Sequence, residues 1–345
     1  MDSWVQPLPL AEPGKLTPEA IQSWREQGFA LVANLLPQDL ITTLVKDAGE
    51  FFPAPGTDAA QQFRDFGSAQ RFVFPAESAP CNAVTLHPNL LGAVADLLGV
   101  SVMDIRLTQS DLWPKYGREP AEQKASQAAR DNNDQRIHVD YPNHTLVHPP
   151  PWSRPEAVEM IIFLDDVEQS GGPTAVVPRE GEDDPLYPWP IMQTPGVAEM
   201  KYVNNRAMAE AYLREEYPAV AAFREQLYAR EVKTHYQRGA VLFYRHDTWH
   251  RGTPVNVGAR RMVQNLTFRL SRSHWLSALH PGWSWGMYRQ AQTVEKLIAR
   301  CTVEQRTVLG FPPPGDDYWC EETLNAVEAR YAAFGIDMSD YRAAV

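Results

Sequence analysis

The sequence predicts a mainly β fold with flanking helices, centred on a barrel or sandwich. Three observations favour this fold class. From Val102 onward, short apolar runs are separated by turn signals, which is typical of antiparallel sheets. Helical patterns are concentrated in the first hundred residues and in the tail. The 29 prolines and 10 tryptophans exceed what a helical bundle accommodates, because proline breaks helix interiors.

The first hundred residues are predicted to form a helical support layer, residues 16–100, preceded by a loose arm at residues 1–15. The Thr-Pro-Glu sequence at residues 17–19 supplies an N-cap, a proline at the first helical position and a first-turn acid. A helix should therefore run from there to Gly28. Further expected elements are a strand at Phe29 to Val32 and helices at Gln38 to Phe51 and Asn89 to Leu98.

Residues 101–272 are predicted to form the barrel core. A polar segment without a strand pattern, residues 114–136, is expected to be a loop over a site, and residues 206–230 a helical insert. Residues 273–345 are expected to be C-terminal helices, so that residues 1–345 form one domain. The expected strands are Val102 to Trp113, Ala157 to Leu164, Pro173 to Val177, Val232 to His235, Ala240 to Tyr244 and Arg261 to Leu270.

Composition and charge exclude several classes of function. The formal net charge of −11, from 43 acidic and 32 basic side chains, opposes binding to nucleic acid. The three cysteines, Cys81, Cys301 and Cys320, are too scattered for a disulfide scaffold or a zinc pattern. Neither a leader nor an apolar run of roughly 18 residues is visible in the sequence. We therefore expect a cytoplasmic protein without membrane attachment or an obligate protein partner.

Three residues form the candidate metal-binding group. His138 and Asp140 lie two residues apart on a segment that looks extended, so their side chains should share one side. His250, at the end of an apolar strand 110 residues after Asp140, can supply a third ligand. Two imidazoles and one carboxylate leave about half of an octahedron open, which suits Fe(II) with a bidentate cosubstrate and dioxygen. Zinc sites prefer closed tetrahedra or a histidine-rich trio.

Two arginines extend this pattern. Arg260 and Arg261 lie ten and eleven residues beyond His250, on the next predicted strand. A guanidinium there can bind the far carboxylate of a keto-diacid through two parallel hydrogen bonds. An HxD triplet and a late histidine are weak signals separately, but their order and spacing make them specific together.

The chain resembles the phytanoyl-CoA dioxygenase superfamily, which includes ectoine hydroxylase-like enzymes, over residues 16–272. LTPEAIQSWREQGFALVANLLP resembles the opening helix and strand of that family, and LTQSDLWPKYG resembles the strand before the metal motif. RIHVDYP resembles the metal motif itself, and MIIFLDDVEQSGGPTAVVP resembles two strands joined by a Gly-rich turn. GAVLFYRHDTWHRGTPVN and RRMVQNLTFR resemble the strands that carry the distal histidine and the arginine.

This resemblance implies a double-stranded β-helix, which is a jelly-roll or cupin-like barrel, and the cofactors Fe(II), 2-oxoglutarate and dioxygen. His138, Asp140 and His250 match the metal positions. Arg261 matches the arginine that binds 2-oxoglutarate, with Arg260 as the alternative. The implied reaction is hydroxylation of an unactivated C–H group in a small metabolite or natural-product intermediate, with release of succinate and CO2.

Further positions are assigned, or placed in doubt, by the same resemblance. Gln109 resembles a glutamine that contacts 2-oxoglutarate in some members. Many relatives carry a small hydroxyl residue two positions past the distal histidine, but here Gly252 stands there, which leaves Thr253 as the candidate hydroxyl contact. A VPRE string at residues 177–180 replaces the common PGSH. Asp140 disfavours halogenation, because halogenating relatives replace this carboxylate with a small residue.

Several residues near these motifs allow a functional and an ordinary interpretation. Trp113 and Tyr141 are the expected pocket walls. His144 is a candidate substrate contact, although local hydrogen bonds in a loop are favoured for it and for His148. An HxxxH zinc pair formed by His246 with the distal histidine is disfavoured by the turn signals between them. For Trp275, Trp283, Trp285 and Tyr288 packing is favoured over a substrate cage, and for Asp165 and Asp166 a solvated strand end is favoured over a metal site.

Two other functions compete with a 2-oxoglutarate-dependent hydroxylase. A cupin-type metal-dependent hydrolase or isomerase would use the same three ligands without a keto-acid. A non-catalytic barrel would bind a small ligand and keep only a residual metal site. A requirement for Arg261 and for 2-oxoglutarate separates the first hypothesis from both alternatives.

Overall fold

The computed structural model describes residues 3–63, 70–74, 76–118, 132–273, 292–303, 306 and 311–345. Two of the predictions above fall outside these ranges. They are the middle of the expected loop, residues 119–131, and the aromatic group from Trp275 to Tyr288.

Two β-sheets form the centre of the chain. The main sheet has the order β4, β9, β6, β11, β5 and is antiparallel throughout. The small sheet has the order β1, β8, β7, β10, and a separate hairpin pairs β2 with β3. The strands are β1 (Trp4–Val5), β2 (Leu10–Glu12), β3 (Lys15–Leu16), β4 (Phe29–Val32), β5 (Ile105–Tyr116), β6 (Ala157–Phe163), β7 (Thr174–Val176), β8 (Val232–Thr234), β9 (Val241–Tyr244), β10 (His250–Gly252) and β11 (Arg260–Leu270).

Helices flank this pair of sheets on the N-terminal and C-terminal sides. The first helix begins as predicted, because the Thr17 hydroxyl accepts a hydrogen bond from the Ala20 amide. It ends at Gly28, whose φ of 94° is left-handed. The helices are α1 (Pro18–Gln27), α2 (Gln38–Phe51), α3 (Asp58–Gln62), α4 (Ala79–Thr85), α5 (Pro88–Leu98), α6 (Tyr141–His144), α7 (Val167–Ser170), α8 (Arg206–Glu216), α9 (Pro218–Arg230), and three more at Thr293–Arg300, Glu321–Tyr331 and Ser339–Arg342.

The two faces of the main sheet are both buried, and each packs against a different partner. On one face, alternate residues such as Met160 and Phe243 pack against α1, α2, α4 and α5. On the other face, Ile161 and Leu242 pack against residues of the small sheet, including Val176. Because both faces are covered, the strands read as continuous apolar runs rather than alternating ones. The sheets enclose a common interior, and the predicted fold, a double-stranded β-helix with flanking helices, is confirmed.

The structure of the N-terminal arm differs from the prediction. Residues 4–5 form β1, which pairs in parallel with β8 and extends the small sheet, instead of forming part of a loose arm. Leu8 adds a bridge to Val32. A two-residue strand has no periodicity to detect, so the sequence offered no signal for it. Among the described residues, no helix is both long enough and apolar enough to traverse a lipid bilayer.

Candidate metal and cosubstrate site

His138, Asp140 and His250 converge in the barrel interior. One ligand atom from each lies within 4.8 Å of the others, an arrangement that could hold a metal ion. Nε2 of His138 is 3.4 Å from one carboxylate oxygen of Asp140, and Nε2 of His250 is 3.3 Å from the other. All three side chains are buried. The predicted grouping of these residues is therefore present in the fold.

Backbone contacts orient both imidazoles. Nδ1 of His138 is 3.1 Å from the Arg136 carbonyl, and Nδ1 of His250 is 3.0 Å from the Thr248 carbonyl. A carbonyl can only accept, so each Nδ1 carries the proton and each Nε2 presents a lone pair to the shared point. The two histidine backbones also exchange hydrogen bonds of 2.8 and 2.9 Å, which fixes their separation. This pattern is typical of metal-binding histidines.

Asp140 is not on a strand, which corrects the expected extended HxD segment. His138 forms an isolated bridge to His250, whereas Asp140 has helical φ and ψ and precedes α6. Its backbone amide donates to the His246 carbonyl at 3.0 Å. Its carboxylate accepts hydrogen bonds from the Tyr244 hydroxyl at 2.8 Å and from the Asn143 amide at 3.3 Å. These donors hold the carboxylate in one orientation.

The electrostatics of the three groups favour a neutral imidazole beside an ionised carboxylate. Burial, and then the neighbouring His250, lower the pKa of His138 to about 4. Burial alone would raise the pKa of Asp140, but the two imidazoles hold it well below its usual range. Burial would lower the pKa of His250, yet the Asp140 carboxylate raises it. A metal cation bound between Asp140 and the two imidazoles would replace the proton on His250 as the positive charge that stabilises the carboxylate.

Arg261 lies at the opposite end of the same interior face. On β11 it shares its orientation with Val263, which belongs to the interior cluster. Lys115 of β5 is its register partner and is also buried, with its ammonium 2.9 Å from the Thr253 carbonyl. The Arg261 guanidinium donates to the Gly172 carbonyl. Two cationic side chains therefore stand on one side of the barrel, with the apolar Trp113 and Val263 next to them on the same face of β5 and β11.

The position of Arg260 corrects its prediction as an alternative cosubstrate residue. Its side chain lies on the helix-facing side of β11 and donates to the carbonyls of Phe52 and Pro53, both at 3.0 Å. Neighbouring strand residues point to opposite faces, so only one of the two arginines can face the interior. Of the two candidates, Arg261 is the one that does so.

The two remaining cosubstrate candidates, Thr253 and Gln109, form hydrogen bonds with neighbouring groups of the protein. The Thr253 hydroxyl donates to the Pro173 carbonyl at 2.6 Å, so its single proton is already used. The Gln109 amide donates to the Asp111 carboxylate at 2.6 Å, on the interior face of β5. At Gly252 an added Cβ would lie 2.5 Å from the side-chain oxygen of Gln135. The Gln135 side chain therefore occupies the space that a side chain at residue 252 would need.

The structure places the predicted substrate residues in different parts of the core. Trp113 lies in the interior cluster. Tyr141 does not, which is a correction: α6 begins after Asp140 and turns the ring into a separate apolar cluster, where its hydroxyl donates to the Ile191 carbonyl at 2.7 Å. His148 is fully buried, hydrogen-bonded at 2.8 Å to the adjacent Pro149 carbonyl and at 3.0 Å to the Ile191 amide.

His144 belongs to a buried polar cluster. Its Nε2 is 3.3 Å from a carboxylate oxygen of Glu159, and Nε2 of His246 is 2.7 Å from the same oxygen. The two imidazoles stack with centroids 5.4 Å apart. His246 therefore pairs with a carboxylate, in agreement with the expectation that it is not half of a zinc motif. Its carbonyl bonds the Asp140 amide, which places this cluster beside the metal group.

Three functional positions were missed from the sequence. Tyr244 and Glu159 lie inside runs that read as ordinary strand residues, whereas Lys115 falls in the segment 114–136 that was expected to be a loop, although β5 extends through it to Tyr116. A charged residue within an otherwise apolar strand was the available signal for Glu159, because such residues are rarely buried without a partner. Tyr244 carried no signal, since tyrosine is common in strands.

Comparison with known proteins identifies the family. The phytanoyl-CoA dioxygenase (PhyH) family model matches residues 24–263. A search of curated proteins finds no significant match.

Several solved structures are similar at low identity. The chain is 12% identical to EvdO2 from Micromonospora carbonacea var. aurantiaca, covering 79% of this chain and 98% of that one, with a TM-score of 0.49. It is 14% identical to EctD from S. alaskensis, over 78% and 82% of the two chains, with a TM-score of 0.48. It is 17% identical to the carbocyclase SnoK from nogalamycin biosynthesis, over 75% and 87%, with a TM-score of 0.46. Such distant similarity says nothing about the substrate of this chain.

The family match covers the helical support layer from residue 24 onward, all three metal-group residues and Arg261. It confirms the resemblance found in the sequence, and this chain belongs to the phytanoyl-CoA dioxygenase family.

Proposed function

We propose that this protein is an Fe(II)- and 2-oxoglutarate-dependent dioxygenase that hydroxylates an unactivated C–H group of a small metabolite or natural-product intermediate. The observation that carries the proposal is the convergence of two Nε2 atoms and one carboxylate within 4.8 Å. His138, Asp140 and His250 would hold the iron. This donor set fits a divalent first-row transition metal such as Fe(II) and leaves room for a chelating keto-acid and dioxygen.

The donor groups around the metal position support this assignment. Both Nδ1 atoms bond backbone carbonyls, so each imidazole is preset as a neutral ligand. Tyr244 and Asn143 donate to the Asp140 carboxylate and hold it toward the same point. When bound, the iron supplies activation of dioxygen coupled to oxidation of 2-oxoglutarate to succinate and CO2. The protein supplies orientation and a buried environment that excludes water.

Arg261 is proposed to bind the distal carboxylate of 2-oxoglutarate, with Lys115 contributing a second positive charge. Both side chains are buried on the interior face and are opposite each other in register. Trp113 and Val263 are the next residues on the same face and would contact the methylene groups of the cosubstrate. A carboxylate in this position is stabilised by two cations at low local dielectric.

Asp140 supports hydroxylation over halogenation. A halide would need the coordination position that this carboxylate occupies. Of the competing hypotheses, a cupin-type hydrolase or isomerase gives no role in binding a keto-acid to the buried cations at Arg261 and Lys115, and a non-catalytic ligand-binding barrel gives no role to an intact set of metal ligands.

The first test is anaerobic addition of Fe(II) and then 2-oxoglutarate to the purified protein. We expect a weak visible charge-transfer band, and release of succinate once dioxygen and a suitable metabolite are added. His138→Ala should abolish both signals. His235→Ala is the control, because that histidine pairs with Glu168 and stands outside the metal group.

Two results would contradict the proposal. The first is iron bound in equimolar amount without the band. The second is turnover of a substrate that continues without 2-oxoglutarate and survives Arg261→Ala, which would favour the cupin-type hydrolase or isomerase.

A further inference from the structure

The three metal-group residues lie outside the main sheet. His138 forms an isolated bridge to His250, and His250 begins β10, the last strand in the order of the small sheet. Asp140 precedes α6 and has helical φ and ψ. The positions of these ligands therefore depend on contacts that connect their segments to the main sheet. One such contact is the Tyr244 hydroxyl, and the carboxylate of Glu159 provides two more.

Glu159 occupies a fixed position in the main sheet. It lies on β6, the central strand of the five, where its register partners are Tyr244 of β9 and Thr267 of β11. One of its carboxylate oxygens, Oε2, accepts a hydrogen bond from the Thr267 hydroxyl. The residue is 3% exposed. Backbone pairing on both sides, together with this side-chain hydrogen bond, leaves the carboxylate little freedom to move.

The other oxygen of Glu159, Oε1, is approached by two histidines. Nε2 of His246 lies 2.7 Å from it and Nε2 of His144 lies 3.3 Å from it. Burial would raise the pKa of Glu159, but the two imidazoles hold it below its ordinary value, so the carboxylate is ionised at neutral pH. Contacts to an ionised acceptor are stronger than those to a neutral one.

The two histidines belong to the two segments that carry the metal ligands. His246 lies in the turn between β9 and β10, and its carbonyl accepts hydrogen bonds from the amides of Asp140 at 3.0 Å and Tyr141 at 3.1 Å. His144 is the last residue of α6, which begins directly after Asp140. Glu159 is therefore connected to the backbone of Asp140 from both directions.

Glu159 and Tyr244 act on different parts of Asp140. The Tyr244 hydroxyl donates to the carboxylate itself at 2.8 Å. Glu159, in contrast, contacts the imidazole of His246, whose carbonyl holds the amide at the start of α6. The first contact orients the side chain, and the second holds the turn of backbone from which that side chain projects.

We propose that Glu159 is a positioning residue of the metal centre, which fixes the backbone at Asp140 through His246 and His144. The proposal rests on the proposed function, because the fixed backbone presents the carboxylate to the iron in one orientation. Glu159 would not bind the iron itself. Residues that orient metal ligands in this indirect way commonly change metal affinity by about 10- to 100-fold when they are altered.

The first test needs no metal and measures amide hydrogen exchange by NMR in the iron-free protein. Glu159→Gln keeps the size of the side chain, but its single oxygen can serve either Thr267 or the histidines and not both. We expect the amides of Asp140 and Tyr141 to exchange about tenfold faster in this variant, because the His246 carbonyl is less well held. Amides of the main sheet, such as that of Leu242, should exchange at nearly the wild-type rate. A general loss of stability would accelerate both groups.

The second test is anaerobic titration with Fe(II). We expect Glu159→Gln to weaken iron binding about tenfold. His246→Phe keeps a ring to stack on His144 but loses Nε2, and it should cause a similar loss. The double variant should bind iron no more weakly than the weaker single variant, because both changes remove the same contact.

Asp184→Asn is the matched control for the loss of a buried carboxylate. Asp184 is 4% exposed and lies 2.6 Å from Arg230, and neither residue belongs to a segment that carries a metal ligand. This variant should lower the unfolding temperature without changing iron affinity.

Several results would overturn the proposal. They are exchange at Asp140 that rises no more than exchange in the main sheet, unchanged iron affinity in Glu159→Gln, additive losses in the double variant, or an equal loss of iron affinity in Asp184→Asn. If Glu159→Gln does not fold, His246→Phe is used for both tests. Absence of the charge-transfer band in the wild type would instead contradict the proposed function, while the exchange measurement would still report on the Glu159 contacts.

Discussion

At the residue scale, the metal group depends on side chains that would not bind the metal themselves. The Asp140 carboxylate is positioned by the Tyr244 hydroxyl, and the ring of Tyr244 packs 4.7 Å from that of His250. One tyrosine therefore contacts two of the three ligands. Residues in such outer positions commonly change metal affinity by about 10- to 100-fold when they are altered.

We predict that Tyr244→Phe weakens Fe(II) binding about tenfold, because the carboxylate loses its strongest neutral donor while the ring packing is kept. Anaerobic titration of the metal measures this change. Tyr236→Phe is the matched control, since that hydroxyl bonds Ser170 and the Gly171 carbonyl away from the metal group. An equal loss of affinity in both variants would refute the assigned role.

Asp111 gives a prediction about stability. Its pKa is raised in the folded protein to about 7 from an ordinary value of 3.8, so folding favours the protonated acid. At pH values below 3.8, Asp111 is protonated in both the folded and the unfolded protein, so it does not change the free energy of unfolding. As the pH rises toward 7 the unfolded chain ionises first, and the folded state loses stability relative to it, by on the order of 4 kcal/mol at most.

Asp111→Asn should remove this loss. We expect the variant to unfold at nearly the same temperature as the wild type at pH 4 and at a higher temperature at pH 8. Thermal unfolding across this range measures the difference. A gain that is independent of pH would show that the carboxyl is not the group that titrates.

At the element scale, strand alternation decides which arginine serves the cosubstrate. β11 places Arg261 with the interior residues and Arg260 against the loop after α2. We predict that Arg261→Lys raises the KM for 2-oxoglutarate on the order of 30-fold, because an ammonium cannot form the paired hydrogen bonds of a guanidinium. Arg260→Lys should leave this KM nearly unchanged. Initial-rate measurements give both KM values. A larger increase for Arg260→Lys than for Arg261→Lys would show that Arg260, and not Arg261, faces the cosubstrate.

The end of α1 is connected to the metal group through Gly28. The Gly28 carbonyl accepts from the Thr248 hydroxyl at 2.8 Å, and the Thr248 carbonyl in turn orients His250. A Cβ at Gly28 would lie 2.5 Å from that hydroxyl oxygen, and φ at this residue is +94°. A helix boundary is thus part of the support of a metal ligand.

We predict that Gly28→Ala lowers the free energy of unfolding by roughly 2 kcal/mol and also weakens metal binding. Gly99→Ala, at the end of α5 with φ of +68°, meets only the Arg25 guanidinium at 3.3 Å and should lower stability alone. Unfolding and metal titrations of both variants distinguish the two effects. Unchanged metal affinity in Gly28→Ala would contradict the proposal that Gly28 supports His250 through Thr248.

The elements that could be predicted from the sequence are those with local signals. α1 and α5 have side-chain caps, α1, α2 and α5 have apolar periodicity, and the main-sheet strands have apolar runs bounded by turns. The two-residue strand β1 and the turn at Asp140 depend on distant partners, so no local pattern marks them. The choice of Arg261 over Arg260 needed the strand register, and Lys115 and Glu159 gain meaning only once β5 and β6 flank β11.

At the scale of the whole molecule, the C-terminal helices hold the segment that follows the metal motif. The Arg330 guanidinium donates to the Val147 carbonyl at 2.7 Å, and the hydroxyls of Tyr331 and Tyr318 donate to the carbonyls of Leu146 and His148. These donors satisfy a buried stretch of backbone that has no sheet partner. The barrel therefore receives support from both ends of the chain, and the family match over residues 24–263 covers only one of them.

His138, Asp140 and His250 are proposed to bind one iron ion, and every role assigned above to the residues around them depends on that ion. The most direct measurement is anomalous diffraction at the iron edge from crystals grown anaerobically with Fe(II). We expect a single strong peak within bonding distance of both Nε2 atoms and of one Asp140 oxygen. A peak at other residues, or no peak there when iron is bound in solution, would contradict it.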